Sequence, residues 1–577
     1  MVRRPDRRAA VSALLDGLDE QQRQAAESLL GPVRVLAGAG TGKTRTLTHR
    51  IAHGVATGVY APERVMALTF TTRAAGELRG RLRALGAGGV AARTFHATAL
   101  AQLSFFWPQL VGGRLPEILP GKARLLGQAA ESLRIRVDTA ALRDLAAEIE
   151  WRKVRRIPLE EYARLAASRA LPPGLTVETV VELQQRYEDL KDERRRLDFE
   201  DVLLATAGMI DTERRVAEQV REQYRFFVVD EYQDVSPLQQ ELLELWLGPR
   251  TDLCVVGDAS QTIYSFAGAS SDYLLGFPSR YPDATLVQLE SNHRSTPAIL
   301  GSANRLMRGR PGALELVAVD GDAASPEPTV TRWDTDADEA RGVADAVAEQ
   351  LAVGVPPERI AVLYRVNAQA AVFEAALADR GIGSRQLGGT RFFELDSVKR
   401  AVLELTSLAR TGSPKGLYET VTDVALSIGW TVQPPESQGA VRERWEALGA
   451  LVDLADRAPD GTTLAAFVAE LQERQASQHE PTVSSVVLST LHGAKGLEWD
   501  HVHLAGLSEG LLPISHAKGF DAVDEERRLL YVGITRARRS LALHWAAEGL
   551  RGRRREPSRF LAELRSSTPG AARSGGR

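Results

Sequence analysis

The sequence predicts an α/β fold built round a nucleotide-binding parallel sheet, and two stretches carry that prediction. In "VRVLAGAGTGKTRTLTHR" the apolar run Val33–Leu36 reads as a short strand, and the residues after Lys43 continue as a helix. In "YRFFVVDEYQD" the apolar run Phe226–Val229 reads as a buried parallel strand ending on two acids, Asp230 and Glu231. Ligands of open α/β sheets gather at that edge.

The first stretch is a P-loop, A-x-x-G-x-G-K-T, with Ala37 standing where the usual pattern has its first glycine. Gly38, Ala39, Gly40, Thr41 and Gly42 form the phosphate cradle, and Gly40 and Gly42 allow the tight path that turns amides toward phosphate oxygens. Lys43 would reach the β- and γ-phosphates, and the Thr44 hydroxyl would ligate Mg²⁺. In the second stretch Asp230 would share that Mg²⁺, and Glu231 would orient and deprotonate the attacking water. Together they predict hydrolysis of a nucleoside triphosphate rather than binding alone.

Bulk composition bounds the rest. A hydrophobic content of 44% with 25% charged residues is that of a globular chain, which excludes the disordered and fibrous classes. The 577 residues suffice for several cores, about three or four domains. The single cysteine, Cys254, excludes a disulfide framework and a cysteine metal cluster, and in "DLCVVGD" it reads as a buried structural thiol. The basic N-terminus lacks an apolar h-region and no run is long enough to span a membrane, so a soluble, cytosolic protein is expected. A net charge of −3 leaves room for a local basic groove, and "LRGRRREPSRF" and "KDERRRLDF" read either as such surface or as solvated charge.

Further segments lie in order along the chain: "LTFTTRAAGEL", "ARTFHATAL", "VVGDASQTIYSFAGA", "LESNHRS", "LSTLHGAKGLEWDHV" and "EERRLLYVGITRAR". With the P-loop and "DEYQD" they resemble the motif set of superfamily 1 DNA helicases of the UvrD/Rep/PcrA type, and "LDEQQRQA" resembles that family's adenine-reading Q motif. The resemblance runs from about Leu18 to about Leu564. It implies an ATP-dependent helicase translocating 3′ to 5′ on single-stranded DNA and acting at single/double-strand junctions, with ATP and Mg²⁺ as cofactors. Repair or recombination is the expected setting, and repair-protein partners stay unidentified.

The resemblance also implies residue roles. Gln22 reads the adenine, and His293 stacks on it opposite Arg45. Arg294 and Arg536 serve as arginine fingers on the γ-phosphate, Glu498 joins the nucleotide site, and Gln261 links the phosphate to the DNA path. Phe70, Tyr264 and Phe266 match base-stacking positions, while Thr71, Thr94, His96, Thr490 and His492 match positions that touch the DNA backbone. Alternation in "QTIYSFAGA" puts Tyr264 and Phe266 on one side, which suits a core face or a stacking surface. Arg365 and Asn367 match a pair that meets the strand in the second lobe.

Three departures from the family pattern stand out. His293 replaces the usual tyrosine, so the base should be held less tightly or with some pH dependence; Ala267 replaces an arginine, which puts one phosphate or DNA contact in doubt. The third departure is architectural. The family fold is two RecA-like P-loop NTPase lobes, each interrupted by a mainly helical insertion. Here the first lobe is expected at 1–102 and 198–285, its helical insertion at 103–197, and the second lobe at 286–397 and 483–564. The second insertion, 398–482, is short for the family, and 565–577 reads as a disordered tail. Neither a nuclease domain nor an appended helical or cysteine-rich module is expected after the last motif. Because the second insertion helps govern duplex contact in relatives, a DNA-stimulated translocase that strips proteins from single strands or needs a partner to unwind is the alternative.

Overall fold

The strand predicted before the P-loop forms, and its neighbours explain its burial. The computed structural model describes residues 13–564 apart from 168, 170, 173, 320–324, 388–391, 434, 436–439, 460, 478–484 and 550–551. The expected tail 565–577 therefore lies outside the described residues.

Strands β1 (Val33–Ala37), β2 (Val65–Thr69), β3 (Ala91–Thr94), β4 (Phe226–Val229), β5 (Leu253–Gly257) and β6 (Thr285–Leu289) form one sheet in the order β3-β2-β4-β5-β1-β6. All its pairings are parallel. Successive side chains enter opposite layers, as a pleated strand requires. Met66, Leu68, Phe227, Val229, Leu253 and Val255 face one core, and Val65, Ala67, Phe226, Val228, Cys254 and Val256 face the other. A strand buried on both faces reads as an unbroken apolar run, which is why β1 and β4 are visible in the sequence. Burial raises the Cys254 thiol pKa, consistent with a structural role.

The helical insertion of this unit has its own core. Helices Ala123–Ser132, Thr139–Val154, Leu159–Ala166 and Val177–Glu193 pack Leu126, Leu145, Tyr162 and Leu183 together. The helix Phe95–Leu110 crosses the expected boundary at 103 but buries Phe95, Ala99, Leu103 and Phe106 in the sheet's core. The return to the sheet is marked by a short parallel pairing of Glu117–Ile118 with Arg196–Leu197.

One compact unit holds the chain up to Asn292 and takes in Pro311–Leu314 and Glu436–Val441 as well, and the other opens at His293. The expected lobe boundary at 285 is thereby corrected, because β6 hydrogen-bonds along β1 from Thr285 to Leu289 and belongs wholly to the first sheet.

The second unit carries strands β7 (Thr329–Thr335), β8 (Ile360–Tyr364), β9 (Ser384–Leu387), β10 (Val486–Thr490), β11 (Trp499–Leu504), β12 (Ala537–Gly549) and β13 (Arg553–Arg554). Their order is β7-β12-β11-β8-β10-β9, parallel throughout, with β13 antiparallel on β12. A separate helical core lies between β9 and β10. There Val398 and Leu405 of Asp396–Thr411 meet Val424 of Leu417–Ser427, Leu448 and Leu451 of Ala440–Asp456, and Phe467 of Leu464–Ser477. Among the described residues no helix is long and apolar enough to cross a membrane.

Candidate nucleotide and DNA sites

The phosphate cradle grows directly from β1. Ala37 is the strand's last residue, fully buried and paired with Leu289 in extended backbone. A methyl side chain fits there, so the missing glycine needs no compensation. Gly40 and Gly42 do take left-handed φ values, 71° and 79°. Gly42 is constrained twice, since a Cβ there would stand 2.8 Å from Gln22 Nε2. Three protein donors hold the loop by its carbonyls. Gln22 Nε2 donates to Thr41 O at 3.0 Å, Thr41 Oγ1 to Gly38 O at 2.8 Å, and Asn292 Nδ2 to Ala39 O at 2.7 Å. The first turn of helix Lys43–Thr57 then offers amides that no helical carbonyl can satisfy, an anion site by construction. Arg45 reaches back to Gly17 O at 2.7 Å.

Lys43 Nζ is buried and makes no hydrogen bond; its nearest opposite charge is Glu231 Oε1 at 3.6 Å. A buried ammonium in that state is costly unless a ligand supplies acceptors. At the end of β4, Asp230 is buried and accepts the Glu231 N–H at 2.9 Å. Burial, then the neighbouring Glu231 charge, pushes the Asp230 carboxyl up to about 7, against the pull of Lys43. Additional positive charge beside it would restore the carboxylate. Glu231 sits at φ 54°, a left-handed conformation that costs a non-glycine residue about 1–3 kcal/mol. Such strain persists only where surrounding bonds hold it.

The strand order places β5 between β1 and β4, so its C-terminal turn falls between the P-loop and the acids. Here Gln261 Nε2 donates to Asp258 Oδ2 at 2.7 Å, and the Asp258 N–H donates to Gln233 Oε1 at 3.0 Å. Gln233 Nε2 in turn donates to Glu231 Oε2 at 2.5 Å.

Farther along the same edge, Thr71 and Thr94 cap the helices after β2 and β3, each accepting an N–H at 3.1 Å. Both hydroxyls thus lie at helix N-termini on neighbouring strands. Phe70 is partly buried and packs toward Phe95. Burial, and then Lys122, lower the pKa of His96, whose ring meets the edge of Phe199 at 6.0 Å. Phe266 is 65% exposed, and its ring lies 6.1 Å from Tyr264 in a T-shaped contact. That contact comes from a 3₁₀ turn, Ser265–Ala267, and not from strand alternation as the sequence suggests.

In the second unit Arg294 Nε binds Glu498 Oε2 at 2.5 Å, and Nη1 donates to Thr535 O at 3.2 Å. Glu498 also meets Arg538 at 3.2 Å. Arg536 is buried, with its guanidinium donating to Val532 O, Leu497 O and Thr535 Oγ1 at 2.9, 3.1 and 3.1 Å. Arg365 forks onto Glu526, with Nη2 to Oε1 at 2.8 Å, and Glu526 also accepts the Ile514 N–H at 3.0 Å. Asn367 opens the turn after β8, Thr490 Oγ1 accepts the Gly493 N–H at 3.1 Å, and His293 is exposed. Burial, then Arg365 and Lys495, hold His492 down to about 3, so its imidazole is neutral.

Two family models match the chain. The UvrD/REP helicase N-terminal domain covers residues 18–282, and the UvrD-like helicase C-terminal domain covers 287–434 and 433–548. The chain is 46% identical to the ATP-dependent DNA helicase UvrD2 of Mycobacterium tuberculosis (strain ATCC 25618 / H37Rv), over 98% of its own length and 84% of the relative's. It is 28% identical to the ATP-dependent DNA helicase PcrA of Bacillus subtilis (strain 168), covering 96% and 86% of the two chains, and 29% identical to DNA helicase II of Escherichia coli (strain K12), covering 96% and 88%. The chain belongs to the UvrD-like helicase family.

In this UvrD-like chain the first unit brings Gln22, the P-loop, Lys43, Asp230, Glu231 and Gln261 to one sheet edge. The second unit groups Arg294, Glu498 and Arg536 around Thr535 and the turn before β11. Sequence reasoning passed over Gln233, Asp258 and Asn292, although each stands inside a quoted motif. Their signal is a polar residue at the end of an apolar strand, buried where only a hydrogen-bonding role explains it. Phe199 was also missed; its signal is an aromatic directly after the helix cap Asp198, 49% exposed beside His96.

Proposed function

We propose that the chain is an ATP-dependent DNA helicase that moves 3′ to 5′ on single-stranded DNA, unwinds duplex at single/double-strand junctions, and serves DNA repair or recombination in the cytosol. The carrying observation is the buried Lys43 ammonium, without a hydrogen bond and 3.6 Å from Glu231, beside a loop whose carbonyls are already tied. Such an ammonium fits the β- and γ-phosphates. Glu231 would take the proton of the attacking water, and Gln261 would sense the γ-phosphate. Arg294 and Arg536 would neutralise charge developing on it, with Arg536 exchanging carbonyl partners for phosphate oxygens. Thr44 and Asp230 are the residues that would hold Mg²⁺, whose charge would neutralise the phosphates and keep Asp230 ionised. Gln22, Arg45 and His293 are assigned to the base, and Glu498 to the nucleotide site through its pairing with Arg294.

For the strand, Phe266, Tyr264, Phe70 and Phe199 offer ring faces, and the helix N-termini at Thr71 and Thr94, with His96, suit phosphates. Arg365, Asn367, Thr490 and His492 are the second unit's contribution. The short second insertion favours a second reading, a DNA-stimulated translocase that displaces proteins or needs a partner to unwind.

The test is ATP turnover with and without single-stranded DNA, beside unwinding of a duplex with a 3′ tail. Stimulation with unwinding supports the helicase, and stimulation alone supports the translocase. No stimulation removes both. Lys43→Ala should abolish turnover while thermal unfolding stays cooperative; parent-like turnover would overturn the site.

A further inference from the structure

We propose that Gln233 is a positioning residue through which the DNA-facing turn at Tyr264 and Phe266 controls the carboxylate of Glu231, so that Gln233 sets the stimulation of ATP turnover by single-stranded DNA. The inference rests on the ATPase and DNA reading given above and adds the link between its two halves.

The link is a run of buried side chains within the first unit. Gln233 is fully buried, and its amide uses both ends: Nε2 donates to Glu231 Oε2 at 2.5 Å and, at longer range, to Asp234 Oδ2 at 3.5 Å, while Oε1 accepts the Asp258 N–H at 3.0 Å. The orientation of the amide is unambiguous. A backbone N–H can only donate, so the atom facing Asp258 is the oxygen and the atom facing Glu231 is the nitrogen. Asp258 then fixes the next turn, accepting the Ser260 N–H at 2.9 Å and Gln261 Nε2 at 2.7 Å. From Gln261 to Ile263 the chain is buried throughout, and Tyr264 and Phe266 follow at once. Close packing of this kind transmits strain, so displacement of the exposed end is passed back toward Asp258.

Gly257 makes the bridge sterically possible. A Cβ there would stand 2.5 Å from Gln233 Oε1 and 3.2 Å from Gln233 N. The end of β5 is therefore kept bare where Gln233 crosses it.

At the other end, Glu231 is in a state that a bond can shift. Its backbone is held at φ 54°, and its two oxygens face Lys43 at 3.6 Å and Gln233 at 2.5 Å. Which way the carboxylate points toward an attacking water depends on where Gln233 holds its amide. Glutamine suits the position because one side chain must donate to a carboxylate and accept from an amide at once. A carboxylate there would keep the acceptor but set like charge against Glu231. An aliphatic residue would lose both bonds.

The test compares Gln233→Leu and Gln233→Glu with the parent, reading kcat and KM for ATP with and without oligo-dT, oligo-dT affinity, and the pH profile. For Gln233→Leu the ratio of stimulated to unstimulated kcat should fall by about tenfold or more, with KM for ATP and oligo-dT affinity within about twofold of the parent. Gln233→Glu should lose stimulation at high pH and regain it as pH falls, because the introduced carboxyl can donate to Glu231 only when protonated. That partial recovery is not expected of a purely structural defect. A parent-like stimulation ratio in Gln233→Leu, or a pH profile in Gln233→Glu parallel to the parent's, overturns the link. A parent that DNA does not stimulate would instead remove the functional reading, and the link with it.

Discussion

Asn292 donates its Nδ2 to the carbonyl of Ala39 at 2.7 Å, joining the residue just before the chain first enters the second unit to the middle of the P-loop. The amide is buried, so the bond is not exchanged for water in the folded state. Losing it leaves the Ala39 carbonyl unsatisfied, a penalty of about 1–3 kcal/mol. Asn292→Leu should therefore weaken binding of a fluorescent ATP analogue by roughly tenfold, which corresponds to about 1.4 kcal/mol. Parent-like nucleotide affinity would confine the bond to holding the fold.

How much of this site was legible follows from what each part needs. Gly40, Gly42 and the Lys43–Thr44 pair are read locally, because turn geometry and phosphate chemistry act within a few residues. Asp230 and Glu231 are read from the apolar strand before them. Asn292 and Ala39 are 253 positions apart, and no local pattern reports that they meet. Gln233 has the same character, since its role depends on β5 lying beside β4. The limits of β6 escaped for a related reason: its inward residues alternate with exposed ones, as at an edge, and only pairing with β1 assigns it to the first sheet. The α/β class was readable from the buried runs of β1 and β4, whereas the second sheet and the helical insertions were expected only from the family resemblance.

Phe266 is 65% exposed, so the core gains little from its ring. Phe266→Ala should leave thermal stability near the parent's and reduce oligo-dT affinity by roughly 1–3 kcal/mol, the value of one stacked base. Fluorescence anisotropy at fixed salt reads the change. A fall in melting temperature with unchanged affinity would assign the ring to packing.

Acid should weaken the second unit through a buried chain of rings. Trp333 Nε1 donates to His544 Nδ1 at 3.3 Å, His544 Nε2 meets His503 Nδ1 at 3.2 Å, and His503 Nε2 meets Gln350 Oε1 at 3.2 Å. An indole can only donate, so the proton of His544 is on Nε2 and that of His503 on its own Nε2, and both rings are neutral. Burial, with the positive charge of a protonated histidine neighbour adding to it, lowers His503 to about 4 and His544 to about 3. The unfolded rings take a proton near pH 6.5. Stability is thus intact above about 6.5 and declines as pH falls toward the folded values, at roughly 1.4 kcal/mol per pH unit for each ring. Thermal unfolding between pH 7 and pH 5 should show the loss, and a His503→Leu, His544→Leu double variant should flatten it. The same slope in that variant would place the acid sensitivity elsewhere.

The largest single loss of stability is expected where the helical insertion meets the first sheet's core. Lys153, at the end of Thr139–Val154, lies 2.8 Å from Asp198, 2.7 Å from Asp201 and 2.9 Å from Glu188, while Lys191 faces the same three acids. Lys153 and Asp198 are 4% and 1% exposed, so water cannot take the place of a missing partner. Burial alone would raise the Asp198 carboxyl, and the two lysines override it and hold it far below the usual range. Removing one lysine leaves the acids undercompensated, a loss of about 3–5 kcal/mol for a buried pair broken from one side. Lys153→Met should move the urea midpoint far to lower concentration. Arg214→Ala, which breaks an ion pair whose side chains are 92% and 63% exposed, should leave it in place. Because Asp198 also caps the helix that begins at Phe199, the same variant should weaken oligo-dT binding if Phe199 contacts the strand. A Lys153→Met protein with a parent-like midpoint would mean that Lys191 alone satisfies the cluster.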